Sequence, residues 1–394
     1  MKPAIRLAIV VTHPIQYYSP LFRAVAKLVD LTVFYAHHAT HADQAKAGFG
    51  VGFDWDIDLF SGYQYIFMHN MAKQQSSNRF AGCDTPDVGA HLREGHFDAV
   101  VVFGWHSKTY LQATFAARFL GLPVLARSDS QLSSPRPFLK RAMKTIAYPL
   151  FLRLFHGGLY VGEMSHKYWR YYRFPEERLF LSPHCVDTGW FSDHATAALR
   201  NEFRAQLGLS EHSKVVLFVG KLVLGKRPLD LIAAAALLKA QGHEIITVVA
   251  GAGPLEQDII DAAHAAGVRL HLLGFRNQTE MPKIYAAADV LVLPSAPSET
   301  WGLVANEALA CGCPVVLSDK VGGAPELVGD GTAGSLFPSR NIEALAAAIN
   351  KVLSAPPSKQ AIRAKSLVYS PERAASYLVD GVVTIKNQLA KSRR

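Results

Sequence analysis

The chain has 394 residues, of which 49% are apolar types and 19% charged. That length suggests two domains or slightly more, and the balance excludes a disordered chain. Lys and Arg number 41 against 32 for Asp and Glu, and the net charge of +9 predicts an anionic partner such as nucleic acid, a membrane surface or a phosphorylated substrate. Four cysteines exclude a disulfide scaffold, and Cys311-Gly312-Cys313 lacks the second pair of a zinc ribbon, so two small buried thiols are expected there.

The first apolar run, residues 7–11, is far shorter than the roughly 20 residues of a membrane span and stops at His13-Pro14. No small-residue cleavage site follows, and residues 147–155 are interrupted by Arg153, so a soluble, cytoplasmic protein without a signal peptide is expected. Further apolar runs follow at 31–35, 99–103, 123–126 and 158–161, then at 215–219, 245–250, 270–273, 290–293 and 314–317. They are continuously apolar rather than alternating, which is the pattern of parallel strands covered on both faces. Helix-length segments separate them, one opening at Pro228, where proline suits the first helical position. The strands pause over 188–213. The expectation is an α/β chain of two Rossmann-like doubly wound domains, 1–190 and 200–370, with a terminal helix at about 371–394 packing back on the first. A ligand cleft should lie between them, beyond the carboxyl ends of the strands.

Several strand ends carry chemistry. In Phe218-Val-Gly-Lys-Leu-Val-Leu-Gly-Lys-Arg-Pro, the cations Lys221, Lys226 and Arg227 stand where a diphosphate can be neutralised. Val248-Val-Ala-Gly-Ala-Gly-Pro-Leu-Glu, with Gly251 and Gly253, is a tight strand-to-helix turn without the third glycine of a dinucleotide site. Gly274-Phe275-Arg276-Asn277 can offer backbone groups to a base. Beyond the strand ending at Leu293, Glu299 precedes a helix opening near Gly302, and Glu307 lies one to two turns inside it. The free N–H groups of Gly302 and Leu303 suit a phosphate. A carboxylate in the second turn can accept from two vicinal hydroxyls, or simply complement the helix dipole. His37, His38 and His41 lack the glutamate of a zincin and read as surface loop residues.

These pieces in this order resemble the donor half of glycosyltransferase family 4, a retaining family with the GT-B fold. The matching residues are Gly220-Lys221 with Lys226, Gly251-Ala252-Gly253-Pro254, Gly274 with Tyr285-Ala-Ala-Ala-Asp289, Pro294-Ser295, the pair Glu299 and Glu307, and Val321-Gly-Gly-Ala-Pro-Glu-Leu-Val328. The resemblance covers about residues 214–338. It implies donor-diphosphate contacts from Lys221 and Lys226, a ribose contact from Glu307, and contact of Glu299 with the transferred sugar. It also places Arg227, Gly251, Gly253, Phe275, Arg276, Trp301, Gly302 and Leu303 around the donor, and it requires no metal or other cofactor. Arg227 stands where glycine is frequent; it either compensates for a lysine at 221 or is a solvated helix-start residue.

The amino-terminal half is less specific. Thr12-His-Pro-Ile-Gln-Tyr-Tyr-Ser-Pro20 resembles a subgroup carrying His-Pro-Ile-Gln-Tyr, and Gln16 either bonds a hydroxyl or starts a helix. His106, in Phe103-Gly-Trp-His-Ser107, points at the cleft as a catalytic residue with Lys226 and Glu299, or is a structural hydrogen-bonding group. Arg127 and Asp129 would line an acceptor pocket. The expected function is transfer of a sugar from a nucleotide-sugar donor to a saccharide or lipid-linked saccharide. The rivals are a nucleotide-sugar epimerase of the same fold and a non-enzymatic nucleotide- or nucleic-acid-binding protein. Against nucleic acid, no basic motif interleaved with aromatics is present. Residues 134–155 set Arg136, Lys140, Arg141 and Lys144 among Phe138, Leu139, Met143 and Ile146 without an acidic residue. That segment is either a core-packing helix with a solvated basic face or an interfacial helix at an anionic inner membrane leaflet, and Pro149 is expected to break it.

Overall fold

The computed structural model describes residues 5–38, 40, 45, 52–133, 137–297 and 299–392. One sheet contains β1 (Arg6–Val11), β2 (Asp30–Tyr35), β3 (Gln64–Phe67), β4 (Ala99–Val102), β5 (Val124–Ser128), β6 (Gly157–Tyr160) and β7 (Leu179–Leu181), in the order β3-β2-β1-β4-β5-β6-β7. The other contains β8 (Lys214–Val219), β9 (Ile245–Ala250), β10 (Arg269–Gly274), β11 (Val290–Leu293), β12 (Val315–Ser318) and β13 (Gly334–Phe337), in the order β10-β9-β8-β11-β12-β13. Every described pairing is parallel. The strand order reverses at β1 in one sheet and at β8 in the other, so each has a switch point where the loops part and leave a crevice. This is the two-domain GT-B architecture.

The connecting helices are α1 (Tyr18–Ala26), α2 (Val88–Glu94), α3 (Lys108–Phe119), α4 (Phe138–Phe151), α5 (Glu163–Tyr171), α6 (Thr188–His194) and α7 (Ala197–Gln206), followed by α8 (Pro228–Ala240), α9 (Glu256–Ala265), α10 (Met281–Ala287), α11 (Leu303–Ala310), α12 (Ala324–Val328), α13 (Ile342–Ser354), α14 (Lys359–Leu367) and α15 (Pro371–Ser392). Residues 188–213, where the strands pause, hold α6 and α7, whose Phe191 and Phe203 enter the core of the second sheet. The last helix, α15, crosses back: Ala374, Leu378, Val382 and Ile385 are buried in the core of the first sheet, and Lys386 Nζ donates to Asp98 at 2.6 Å.

Ten strands coincide with the continuous apolar runs of the sequence. The other three, β3, β7 and β13, are all edge strands of three or four residues. The fourth edge strand, β10, is six residues long and does coincide with a run; three or four residues with one neighbour and partial exposure do not make one. All four cysteines are buried and free. His37 is buried, which corrects its reading as a surface residue; its chain position continues the packed end of β2. His41 lies outside the described residues.

Two expectations for residues 134–155 are corrected. Helix α4 runs through Pro149 to Phe151. Proline there stands in the final turn and forfeits only its own backbone bond, so the helix does not break. The core-packing reading also fails, because Phe138, Leu139, Met143 and Ile146 are exposed. Ser134 and Arg136 lie outside the described residues, as does the side chain of Lys140.

Candidate active site

A cavity of about 260 Å³ opens between the two sheets, at both switch points. From the first sheet, the loop after β1 contributes Gln16 and Tyr17, and Trp55 joins them. From the second, the loop after β8 contributes Gly220, Lys221 and Lys226, that after β9 Gly251 and Ala252, and that after β10 Phe275, Arg276 and Gln278. Met281, Val304 and Glu307 complete the wall.

The glycine turns allow this convergence. Gly251 has φ +153°, and a Cβ there would stand 1.9 Å from the carbonyl oxygen of Gly220. Its amide donates to Gly274 O at 2.8 Å, so three adjacent loops meet backbone to backbone. Only glycine permits that approach. Gly253 serves the same packing against Leu222 O and does not line the cavity.

Lys226 Nζ pairs with Glu299 Oε2, which also accepts from Ser295 Oγ at 3.2 Å. Lys221 is half-buried nearby; burial lowers its ammonium pKa first, the Lys226 charge lowers it further, and Glu299 opposes both. The two lysines and one carboxylate leave net positive charge at the mouths of β8 and β11, the polarity a diphosphate needs. Glu299 precedes α11, whose N-cap Gly302 adopts φ +94° and ψ +54°. Gly302 and Leu303, the first residue of that helix, do not line the cavity, to which the helix contributes Val304 and Glu307.

Glu307 is buried in the second turn of α11, a helix apolar on nearly every side. Its Oε2 accepts from Tyr285 Oη at 2.5 Å, and the Tyr17 hydroxyl stands beside it from the opposite domain. Desolvation pushes the Glu307 carboxyl up to about 7, while Tyr285 and Tyr17 hold it down by hydrogen bonding. Burial, followed by the Glu307 charge, raises both phenols well above their ordinary value. Gln16 and Gln278 line the cavity, and their amide oxygens are buried without a hydrogen-bond donor among the described residues.

Three sequence assignments are corrected by these contacts. Arg227, at φ +53°, adopts the left-handed conformation that favours glycine, and its guanidinium grips Asp230 at 2.6 and 2.8 Å. It caps α8 and stays off the cavity wall. Trp301 is buried, donates from Nε1 to Asn306 Oδ1 at 2.9 Å and packs near Tyr369, so it supports the loop from behind. Arg127 is also buried. It donates to Ser182 Oγ and Pro183 O, both at 3.1 Å, and lies over the Phe103 ring. Its hydrogen bonds hold the first domain together rather than facing an acceptor.

Phe275 lines the cavity with its ring 4.2 Å from that of Phe53. Arg276 also lines it, tied to Glu280 Oε1 and Leu273 O at 2.9 Å each. His106 and Asp129 stand at the carboxyl edge of the first sheet, outside the cavity lining. His106 is exposed, yet surrounding protein lowers its imidazole pKa and Asp129 partly restores it. The roles of Tyr17, Tyr285, Ser295, Trp55 and Gln278 escaped sequence reasoning. Tyr285 stood in a matched motif and Tyr17 beside Gln16, but nothing in their spacing shows that they meet at Glu307.

Residues 200–366 match the family model described as glycosyl transferases group 1. Curated relatives include the D-inositol 3-phosphate glycosyltransferases of Segniliparus rotundus, 34% identical over 54% of this chain and 48% of that protein, and of Mycolicibacterium gilvum, 37% identical over 44% and 38%. The chain thus spans about half the length of these relatives, or less. Among solved structures it is similar to a glycosyltransferase from Rickettsia africae, at TM-score 0.71 and 14% identity over 97% of this chain and 98% of that one. It is also similar to Anabaena HepE in complex with UDP and glucose, at TM-score 0.63 and 19% identity over 98% and 99%. Such likenesses establish the shared fold. The segment 200–366, which supplies most of the cavity wall, is similar to the group 1 glycosyltransferases, in a chain that has the GT-B fold.

Proposed function

We propose that this protein is a retaining glycosyltransferase, moving a sugar from a nucleotide-sugar donor to a hydroxyl of a saccharide or lipid-linked saccharide in glycan, polysaccharide or glycolipid synthesis. The carrying observation is the meeting of Lys221, Lys226 and Glu307 on one interdomain cavity. In transfer, the bond from the anomeric carbon to the diphosphate breaks, the acceptor oxygen bonds the same carbon, and the acceptor's hydroxyl proton passes to the departing diphosphate. Negative charge grows on the departing diphosphate. Lys221, Lys226 and the amides opening α11 would stabilise it without reorganising. Diphosphate binding would draw Lys226 from Glu299, freeing that carboxylate for the sugar hydroxyls. Glu307 would accept from the ribose diol. A UDP-sugar is the favoured donor, in keeping with the UDP complex of HepE.

His106 and Asp129, at the edge facing the second domain, would meet the acceptor. Because a lipid-linked acceptor resides at a membrane, peripheral attachment to the cytoplasmic face of the inner membrane belongs to the same proposal. No described helix is long and apolar enough to cross a membrane. Metal independence is also proposed, and activity should survive EDTA; loss restored by magnesium would refute it.

Thermal shift against UDP-, GDP- and ADP-sugars tests the donor assignment. A bound donor at a hundred times its Kd should add about 2.7 kcal/mol of apparent stability. Donors that leave the melting temperature unmoved would sink the reading. Conversion of donor without any acceptor would reassign the protein as an epimerase.

A further inference from the structure

Helix α4 is 14 residues long, and none of its described side chains is buried. Its large apolar side chains Phe138, Leu139, Met143, Ile146 and Leu150 are between 64% and 85% exposed. A helix in a water-soluble domain ordinarily buries one stripe, and an exposed apolar patch of this size marks a contact surface. Only its last turns are anchored, where Tyr148 and Phe151 pack against Trp105. The charge pattern selects the partner. From Gln131 to Gly162 the sequence contains five Lys or Arg and no Asp or Glu. Arg141 is exposed, and Lys144 lies over the Tyr148 ring.

The neighbouring α3 adds Phe115 and Phe119, both exposed and one helical turn apart. Since β4, β5 and β6 are adjacent and parallel, right-handed crossovers set α3 and α4 on the same face of the sheet. At 100° per residue Leu139, Met143, Ile146 and Leu150 form one stripe, and Arg141 and Lys144 lie off it on the other side of the helix; an apolar side with a basic side is what a bilayer of anionic headgroups over acyl chains takes up. A second copy of the chain would bring equal positive charge against this face.

We infer that α4 docks this protein on an anionic membrane surface, inserting Phe138, Leu139, Met143, Ile146 and Leu150 among the lipids. The helix begins at the carboxyl end of β5, the edge of the sheet that meets the other domain. Gln131, seven residues before Phe138, donates to Pro297 O at 2.8 Å and Glu299 O at 3.1 Å. The chain that leads into α4 thus touches the loop carrying Glu299, and in this proposal a saccharide carried on a lipid reaches the cleft without leaving the bilayer. This partner deepens the acceptor class proposed above, but docking needs no transfer chemistry.

Flotation of the full chain with neutral and anionic phospholipid vesicles tests it. Wild type should float with anionic vesicles at low salt and sink with neutral ones or with added salt. Arg141→Ser with Lys144→Ser should weaken anionic binding about tenfold or more. Ile146→Ser with Leu139→Ser should abolish flotation, while an unchanged melting temperature and unchanged donor-induced thermal shift show that fold and site are intact. Wild type that ignores anionic vesicles at low salt overturns the inference. So does a dimer in light scattering that Ile146→Ser dissociates, which would give the face to a second copy. Flotation of a protein that binds no nucleotide sugar would uphold docking while refuting the glycosyltransferase reading.

Discussion

Glu307 carries the clearest consequence of burial on a single side chain. Its carboxyl is raised from about 4.5 to about 7 because desolvation outweighs the hydrogen bonds from Tyr285 and Tyr17. Between those values the folded protein holds a proton that the unfolded chain has released. Stability conferred through this group is therefore present at low pH and lost as pH rises toward 7, by about 3 kcal/mol at most. Replacement by Gln should flatten that part of the profile, measured as melting temperature from pH 5 to pH 8. Donor binding should run the opposite way in wild type. A ribose diol donates best to the ionised carboxylate, so affinity should tighten as pH rises through 7, and calorimetry on Glu307→Gln should show weaker, pH-independent binding. In the proposed transfer Lys226 would act where charge develops, so Lys226→Ala should lower kcat as well as donor affinity. Removal of a charged hydrogen bond costs about 1.5–3 kcal/mol, or ten- to more than a hundredfold in kcat/KM. Wild-type turnover in that variant would take Lys226 out of the reaction.

At the scale of the element, the strand-to-helix turns decide whether the site assembles. The turn after β9 was legible as a glycine pair, but its purpose was not. Gly251 is required by the carbonyl of Gly220 in the adjacent loop, a contact between segments 31 residues apart in sequence. Gly251→Ala forces both a forbidden φ and a backbone clash, so it should push the Lys221 loop away from the β9 turn. The expected result is a stability loss of about 1–3 kcal/mol with donor affinity falling alongside. A variant that binds donor as tightly as wild type would show that the loop tolerates displacement. Helix α11 is a second case. Its N-terminus was readable from the strand end at Leu293 and from Gly302, but its eight residues are nearly all buried, and this is what raises the Glu307 pKa.

At the scale of the whole molecule, the two domains meet through contacts between distant segments. Thr279 donates from both its amide and hydroxyl to Asp56, and Asn277 Nδ2 donates to Asp54 O at 2.7 Å. Asp54 and Asp56 flank Trp55, so these bonds hold the aromatic wall of the cavity against the loop after β10. Asp56→Ala should loosen closure, with the exposed ion-dipole contacts contributing about 1 kcal/mol, or roughly fivefold in the closed population. Small-angle scattering should then show a larger radius of gyration without donor, and kinetics a raised donor KM. Identical scattering for variant and wild type would remove Asp56 from closure.

Continuous apolar runs were enough to determine two parallel α/β sheets, because a strand covered on both faces must be apolar throughout. Lysines, glycines and Glu307 at the strand ends were enough to expect a cleft between the domains, because sheet topology brings those ends together. The short edge strands β3, β7 and β13 stayed illegible, since three or four partly exposed residues leave no apolar run to read. Tertiary structure alone decided that Arg227 turns to Asp230, that Arg127 and Trp301 are absorbed by packing, and that Tyr17 and Tyr285 converge on Glu307 from separate domains. It also decided that the apolar face of α4 points outward, which the helical periodicity of residues 138–151 could not distinguish from a face turned to the core. A sequence records which side chains share a face; what that face meets depends on segments far away in the chain.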